Sequence, residues 1–368
     1  MKKALRSFLI QLMLLILPSV SLATESLGES REIEGYLDQF SHIIGLNGNV
    51  LITRGDRTVL SKSYGYEDFE NNIPFTAESQ FCIGSVTKQF TAVALLRLVE
   101  QNKLKLEDYI GDLIPEFEKA PWAENVTVEH LLTHTSGIYE LSPHERDEAT
   151  PVKDMKQIID IFKDKPSISR PGELFLYSNM GYVILGYLIE QLTAKPLKSY
   201  LRETFFVPLH MESTHLKTWH QPYAFKTQEG TRALALPYQY NDGGIISPVD
   251  KIYNDISFAA GGLISTAADL VTWNRALYGG ALISKDLLNR FLTPKSLGYG
   301  LGMIIETYAD MNMVYKHGGA IDGYHSLLLY LPKQKASVCV LTNVDYYTPH
   351  RIEALMDNLC LLLLKDGK

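Results

Sequence analysis

Apolar and polar positions change period along this chain, and the changes outline its elements. Asn49–Thr53 and Thr58–Tyr64 are β-rich runs split by Arg54-Gly55-Asp56-Arg57, which predicts a hairpin. Phe81–Ile83 is a further short strand-like run, after which Gly84 opens a long helix from Ser85 to about Lys103. Ala92–Val99 of that helix is apolar nearly all round except at Arg97, the pattern of a helix buried at the centre of a large fold. Helical periods continue at Val128–His134, Val152–Lys163, Ser178–Leu192, Leu197–Phe206 and Thr266–Leu277. Strand-like runs return at Tyr299–Thr307, Met313–His317, Tyr324–Leu331 and Ser337–Leu341, and a helix is predicted from Pro349 to about Leu364. Residues 25–42 show only a weak helical period. Residues 217–260 show none, but they hold Trp219, Tyr223, Phe225, Tyr238, Tyr240, Tyr253 and Phe258. That aromatic load argues for a functional loop rather than disorder.

Strands therefore occupy both ends of the pattern and helices its middle. The predicted fold class is α/β (α+β): one antiparallel sheet made from N- and C-terminal strands, flanked by helices, with a mostly helical subdomain inserted beside it. The expected division puts the sheet part at about 30–84 and 260–368 and the helical part at about 85–259, with a site in the cleft between them.

Composition refines this picture at the N-terminus. Lys2, Lys3 and Arg6 precede an apolar run that ends at Leu17, Pro18 breaks it, and Ser21-Leu22-Ala23 places small residues at the −3 and −1 positions. This is the pattern of a signal peptide over residues 1–23, leaving one mature unit at 24–368. The run is far shorter than the ~20 residues of a bilayer span, so no stable membrane span is expected after cleavage. The expected location is periplasmic or secreted. Residues 1–23 hold three cations and no carboxylate, so their removal takes the formal net charge from −7 to −10. So acidic a chain should be repelled by nucleic acid and anionic lipid, which leaves a small molecule or peptide as the expected partner. Cys82, Cys339 and Cys360 are too few for a disulfide framework and read as buried thiols.

Three short motifs carry candidate chemistry. Ser85-Val86-Thr87-Lys88 puts a hydroxyl at a helix N-terminus and an amine three residues on, on the same face. A serine hydroxyl attacks poorly unless a base takes its proton, and lysine serves only if its pKa falls from ~10.4. Burial and the amides of the first helical turn both act in that direction. About one such pattern is expected by chance, but this one follows a strand and a glycine and begins the most apolar helix of the chain. Tyr177-Ser178-Asn179 is the only Y-x-N among 21 tyrosines. It lies just before a predicted helix, where Ser178 or Asn179 suits an N-cap, Tyr177 a proton shuttle and Asn179 a donor to a substrate amide or a partner of Lys88. His317-Gly318-Gly319-Ala320 ends a predicted strand. Its paired glycines let a substrate lie against the strand, and the Ala320 N–H is a candidate oxyanion donor.

Taken jointly, the motifs resemble one family. Tyr177 lies 92 residues after Ser85 and His317 lies 140 after Tyr177, an order and spacing similar to the class C β-lactamase and DD-peptidase group. These are penicillin-recognising serine hydrolases that include esterases and D-aminopeptidases. Leu131-Leu132-Thr133-His134-Thr135-Ser136-Gly137 and Gly323-Tyr324 strengthen the likeness, which runs from about Phe40 to Leu361. The resemblance implies a β-lactamase/transpeptidase-like fold and an acyl-enzyme on Ser85. It implies Lys88 as base or relay, Tyr177 acting on the leaving group or the deacylating water, and Asn179 orienting the substrate amide. Ser85 and Ala320 would supply the oxyanion hole, with His317, Gly318 and Gly319 beside the substrate. The family's lactamases carry Lys-Thr-Gly where this chain has His317-Gly318-Gly319, so strong β-lactamase activity is not expected. His317 is instead expected to be cationic below about pH 6.5 and to favour a Tyr177 phenolate.

No cofactor is expected, since neither a phosphate-binding loop nor a dinucleotide fingerprint is present. No metal is expected either. His130 and His134, four apart beside Glu129, lack a third ligand at useful spacing, and His210, His215 and His220 share no helical face.

Overall fold

The computed structural model describes residues 28, 30–43, 45–142, 145, 155–217, 234–240, 246–249, 258–308, 312–345 and 350–365. The expected signal peptide, His220 and four aromatics of the 217–260 segment (Trp219, Tyr223, Phe225 and Tyr253) lie outside the described residues.

Six strands form the main sheet: β1 (Gly48–Arg54), β2 (Arg57–Tyr64), β3 (Ile304–Tyr308), β4 (Asn312–Ile321), β5 (Tyr324–Leu331) and β6 (Ala336–Thr342). Their order is β3-β4-β5-β6-β1-β2, antiparallel throughout. The fold is thus α/β with an antiparallel sheet closed by pairing between the two ends of the chain, Val50 opposite Val340 and Ile52 opposite Val338. Both faces of the sheet are covered. Val50, Ile52, Val338 and Val340 point to an outer layer with Ile33 and Leu37 of α1 (30–43) and Leu355, Leu359 and Leu363 of the C-terminal helix His350–Lys365. Cys339 and Leu341, one position out of phase, point to the larger inner core. This double cover explains why β6 reads as a continuous apolar run rather than an alternating one.

The inner core is built round α2 (Thr87–Glu100), in which eleven of fourteen residues are buried. Phe90 stacks on Trp273 of the helix Ala267–Tyr278, with ring centroids 3.9 Å apart. The predicted helix to Lys103 stops earlier because Asn102 turns left-handed (φ 57°), and the Lys103 N–H then bonds Leu98 O at 3.0 Å. A second site-bearing helix, α3 (Asn179–Thr193), starts where the Ser178 Oγ accepts the Gly181 N–H at 3.0 Å.

One predicted strand is corrected. Tyr299–Thr307 is a strand only from Ile304, because the three glycines within Gly298–Gly302 turn the chain, and that turn carries Tyr299 into the interior.

Two glycines fix how the sheet meets α2. Gly84 takes φ +47°, and a Cβ there would sit 2.9 Å from Ala320 N and 3.0 Å from Ala320 O. The turn before α2 therefore lies directly against the edge of β4, opposite residues that β3 does not reach, since β3 begins only at Ile304, opposite Lys316. A Cβ on Gly319 would sit 2.1 Å from Ile83 O and 2.4 Å from Ser326 Oγ, whereas one on Gly318 meets nothing nearer than 3.8 Å. Gly319→Ala should accordingly destabilise the fold by about 2–3 kcal/mol, and Gly318→Ala by less than about 0.5 kcal/mol, in urea denaturation. Equal effects of the two would contradict this packing.

Candidate active site

Ser85 sits in the single 3₁₀ turn Gly84–Val86 between the short strand Phe81–Cys82 and α2. It is half-buried, and it opens into a cavity of about 650 Å³ whose lining includes Tyr177, His317, Gly318, Gly319 and Ala320. Three separated segments of the sequence thus converge on one hydroxyl. Lys88 and Asn179 lie just beneath it.

The Lys88 side chain is fully buried, and its amine has three neighbours: Ser85 Oγ at 3.0 Å, Asn179 Oδ1 at 2.9 Å and Ala260 O at 2.9 Å. Burial pulls its pKa down to about 7, partly offset by the Glu140 carboxylate, which favours the charged form. At neutral pH a large share of Lys88 is therefore the free amine. A free amine has two N–H donors and one lone pair. Asn179 Oδ1 and Ala260 O only accept, so they take both donors, and the lone pair is left for the Ser85 O–H. The geometry is that of a base already aimed at its proton.

The tyrosine motif supplies the opposite wall. Tyr177 and Ser85 line the same cavity, and the Lys88 amine lies 4.8 Å from the Tyr177 ring centroid and 5.4 Å from that of Tyr182. Tyr177 as a residue is 41% exposed, yet burial around its hydroxyl raises its pKa. Beneath it His134 stacks with a centroid separation of 4.2 Å, and His134 Nδ1 accepts the Ser178 N–H at 3.0 Å. Glu140 holds the same segment through Ser178 Oγ (2.9 Å), Asn179 Nδ2 (3.3 Å) and Met180 N (3.1 Å).

His317 differs from expectation in its charge. It is buried, the Tyr299 hydroxyl lies 2.9 Å from its Nε2, and its Nδ1 lies 2.6 Å from Gly318 O. These partners fit a neutral ring with the proton on Nδ1. Burial and the nearby Lys88 hold its pKa down at about 3. It is therefore not a cation near pH 6, and it favours no phenolate; Tyr177 is a neutral phenol.

A family model described as Beta-lactamase matches residues 33–361. The chain belongs to the β-lactamase family. It has the β-lactamase/transpeptidase fold. Protein flp of Staphylococcus aureus is 26% identical over 333 residues, 86% of this chain but 63% of the relative, so the chain spans less than two thirds of that protein. Among solved structures, the octameric penicillin-binding protein homologue from Pyrococcus abyssi superposes with a TM-score of 0.77 at 28% identity, covering 90% of this chain and 77% of that one. A D-stereospecific amidohydrolase from Streptomyces gives 0.71 at 25% identity, covering 85% and 95%.

Within this β-lactamase-family site, three contributors carry no signal in the sequence: Ala260 O, Glu140 and Tyr299. The first acts through its backbone, and the other two join partners through turns with no periodic pattern. His130 closes its own helix start, with Nδ1 accepting the Thr127 N–H at 3.2 Å. Lys88→Arg keeps a cation but has no lone pair to offer, so Ser85 should react with a fluorophosphonate roughly 10²–10⁴-fold more slowly. Stopped-flow or gel-based labelling reads this rate, and an Arg variant near the wild-type rate would contradict the assignment of base.

Proposed function

We propose that the protein is an exported serine hydrolase working through an acyl-enzyme on Ser85, with D-amino-acid peptides or esters as substrates. The observation that carries this reading is the 3.0 Å contact between Ser85 Oγ and a buried Lys88 amine that is free near neutral pH.

In this mechanism the Lys88 lone pair takes the Ser85 proton as Oγ bonds to the substrate carbonyl carbon. The carbonyl oxygen becomes an oxyanion facing the backbone N–H groups of Ser85 and Ala320, which the close approach of Gly84 to Ala320 brings side by side. The proton then passes from Lys88, by way of the Tyr177 hydroxyl, to the departing amine or alkoxide, and the carbon–leaving-group bond breaks. Water repeats the sequence on the acyl-Ser85 ester, with the same residues as base and then acid. A neutral phenol suits this relay, because it donates and accepts in turn.

Asn179 orients the substrate amide, and Gly318, where a Cβ would meet nothing nearer than 3.8 Å, leaves the β4 edge clear for it. Esters and peptide amides without a free carboxylate rank above β-lactams because a neutral His317 with both ring nitrogens occupied offers no cation to a carboxylate. The likeness to a D-stereospecific amidohydrolase supports the peptide side. Residues 1–23 direct export and are removed after Ala23, and residues 24–368 form the hydrolase, with its sheet part at about 30–84 and 260–368 and its helical part at about 85–259.

The test uses a fluorophosphonate and a fluorescent penicillin on exported protein, followed by p-nitrophenyl esters, D-Ala-D-Ala peptides and nitrocefin on the same preparation. The expected result is a labelled wild type that starts at Thr24 by intact mass and sheds its penicillin label on standing. Ser85→Ala should stay unlabelled, and ester or peptide turnover should exceed that of nitrocefin. A label that never leaves, with no turnover, would identify a binder of cell-wall peptide or penicillin instead. Labelling of Ser85→Ala would exclude Ser85 as nucleophile.

A further inference from the structure

Glu140 takes part in no step above, yet its carboxylate is bonded to three consecutive residues, Ser178, Asn179 and Met180. The bond to Asn179 has a consequence for Lys88. A side-chain amide can turn by half a revolution with little change of shape, presenting either its oxygen or its nitrogen to a neighbour. An ionised carboxylate only accepts, so the Asn179 end facing Glu140 must be Nδ2, and the end facing Lys88 must be Oδ1. Were the amide reversed, Nδ2 would face Lys88 and compete with the Ser85 hydroxyl for the amine's lone pair.

We propose that Glu140 is a positioning residue for the Ser85–Lys88 pair: its carboxylate fixes Asn179 with Oδ1 toward Lys88, which leaves the lone pair to Ser85. The inference rests on Ser85 and Lys88 being nucleophile and base. It adds a residue 52 positions beyond Lys88 that touches neither the nucleophile nor the cleft's open strand edge.

The groups facing Lys88 from the surrounding elements are Glu140, His134, His317, Tyr177 and Tyr182. Burial holds both histidines neutral and raises the pKa of both phenols. Glu140 is thus the charged neighbour among these described residues. Its removal should leave the ammonium form of Lys88 with less support, so the base should titrate lower.

The experiment measures the pH dependence of Ser85 labelling by an uncharged fluorophosphonate, which has no charged group for Glu140 to recognise. The full chain is compared with Glu140→Ala, Asn179→Ala and the double variant. Glu140→Ala should lower the high-pH plateau rate roughly tenfold. In the Asn179→Ala background the same substitution should change it by less than about twofold, because the amide it orients is gone. Glu140→Gln, close in size and so a guard against loss of the fold, should move the acid limb below the wild-type value of about 7. A plateau unchanged by Glu140→Ala, an equal loss in the Asn179→Ala background, or a fixed acid limb would each overturn the proposal. Ser85→Ala run alongside separates the two levels. If it is silent while the Glu140 variants behave as wild type, only the positioning role fails; if it is labelled, the underlying reading fails.

Discussion

The structure turns on one amine held out of water. Lys88 has no exposed surface, and its three neighbours are a hydroxyl and two oxygens that only accept. An ammonium ion in such a place lacks hydration, so the fold favours the free base, and with it a lone pair that points to Ser85. This arrangement opposes stability. Between pH about 7 and the ordinary lysine range near 10.5, unfolding takes up a proton at Lys88, so its contribution to stability increases with pH across that window. A surface lysine at the same spacing would be easier to fold round and of no use as a base.

Much of the fold exists to keep that amine buried and its partners in place. α2 must lie at the centre of the inner core for position 88 to be dry, which is why its apolar residues run round the whole helix rather than along one stripe. The turn that leads into α2 opens with Gly84, whose missing side chain lets Ala320 approach. The start of α3 is tied down from two sides, by Glu140 and by His134, so Asn179 and Tyr177 keep their aim while the cavity outside them stays open. Tyr182, one turn into α3, donates to Leu132 O at 2.8 Å and anchors that helix to the segment carrying His134.

How much of this was legible in the sequence depends on the kind of signal. The sheet and the central helix were readable because burial on one or both faces writes a period into the chain; Tyr324–Leu331 coincides with its strand, and β1 and β2 differ from expectation by a residue or two. The convergence of Ser85, Lys88, Tyr177, Asn179 and the β4 edge came from motif order and spacing, which a family resemblance supplies and periodicity does not. The charge of His317 differs from expectation because a sequence does not state burial, and the same ring on the surface would titrate near pH 6.5. Ala260 and Glu140 stayed invisible for a related reason. One contributes a backbone oxygen that any residue has, and the other meets its partners across 39 residues of chain without a repeating pattern.

The most direct measurement is an NMR titration of the Lys88 side-chain amine in the folded protein, with Lys88→Met used to assign its signal. The expected midpoint lies near pH 7, with Lys88 largely neutral by pH 8. A midpoint near 10.5 would show a charged Lys88 at the working pH, and no lone pair would then exist to take the proton from Ser85.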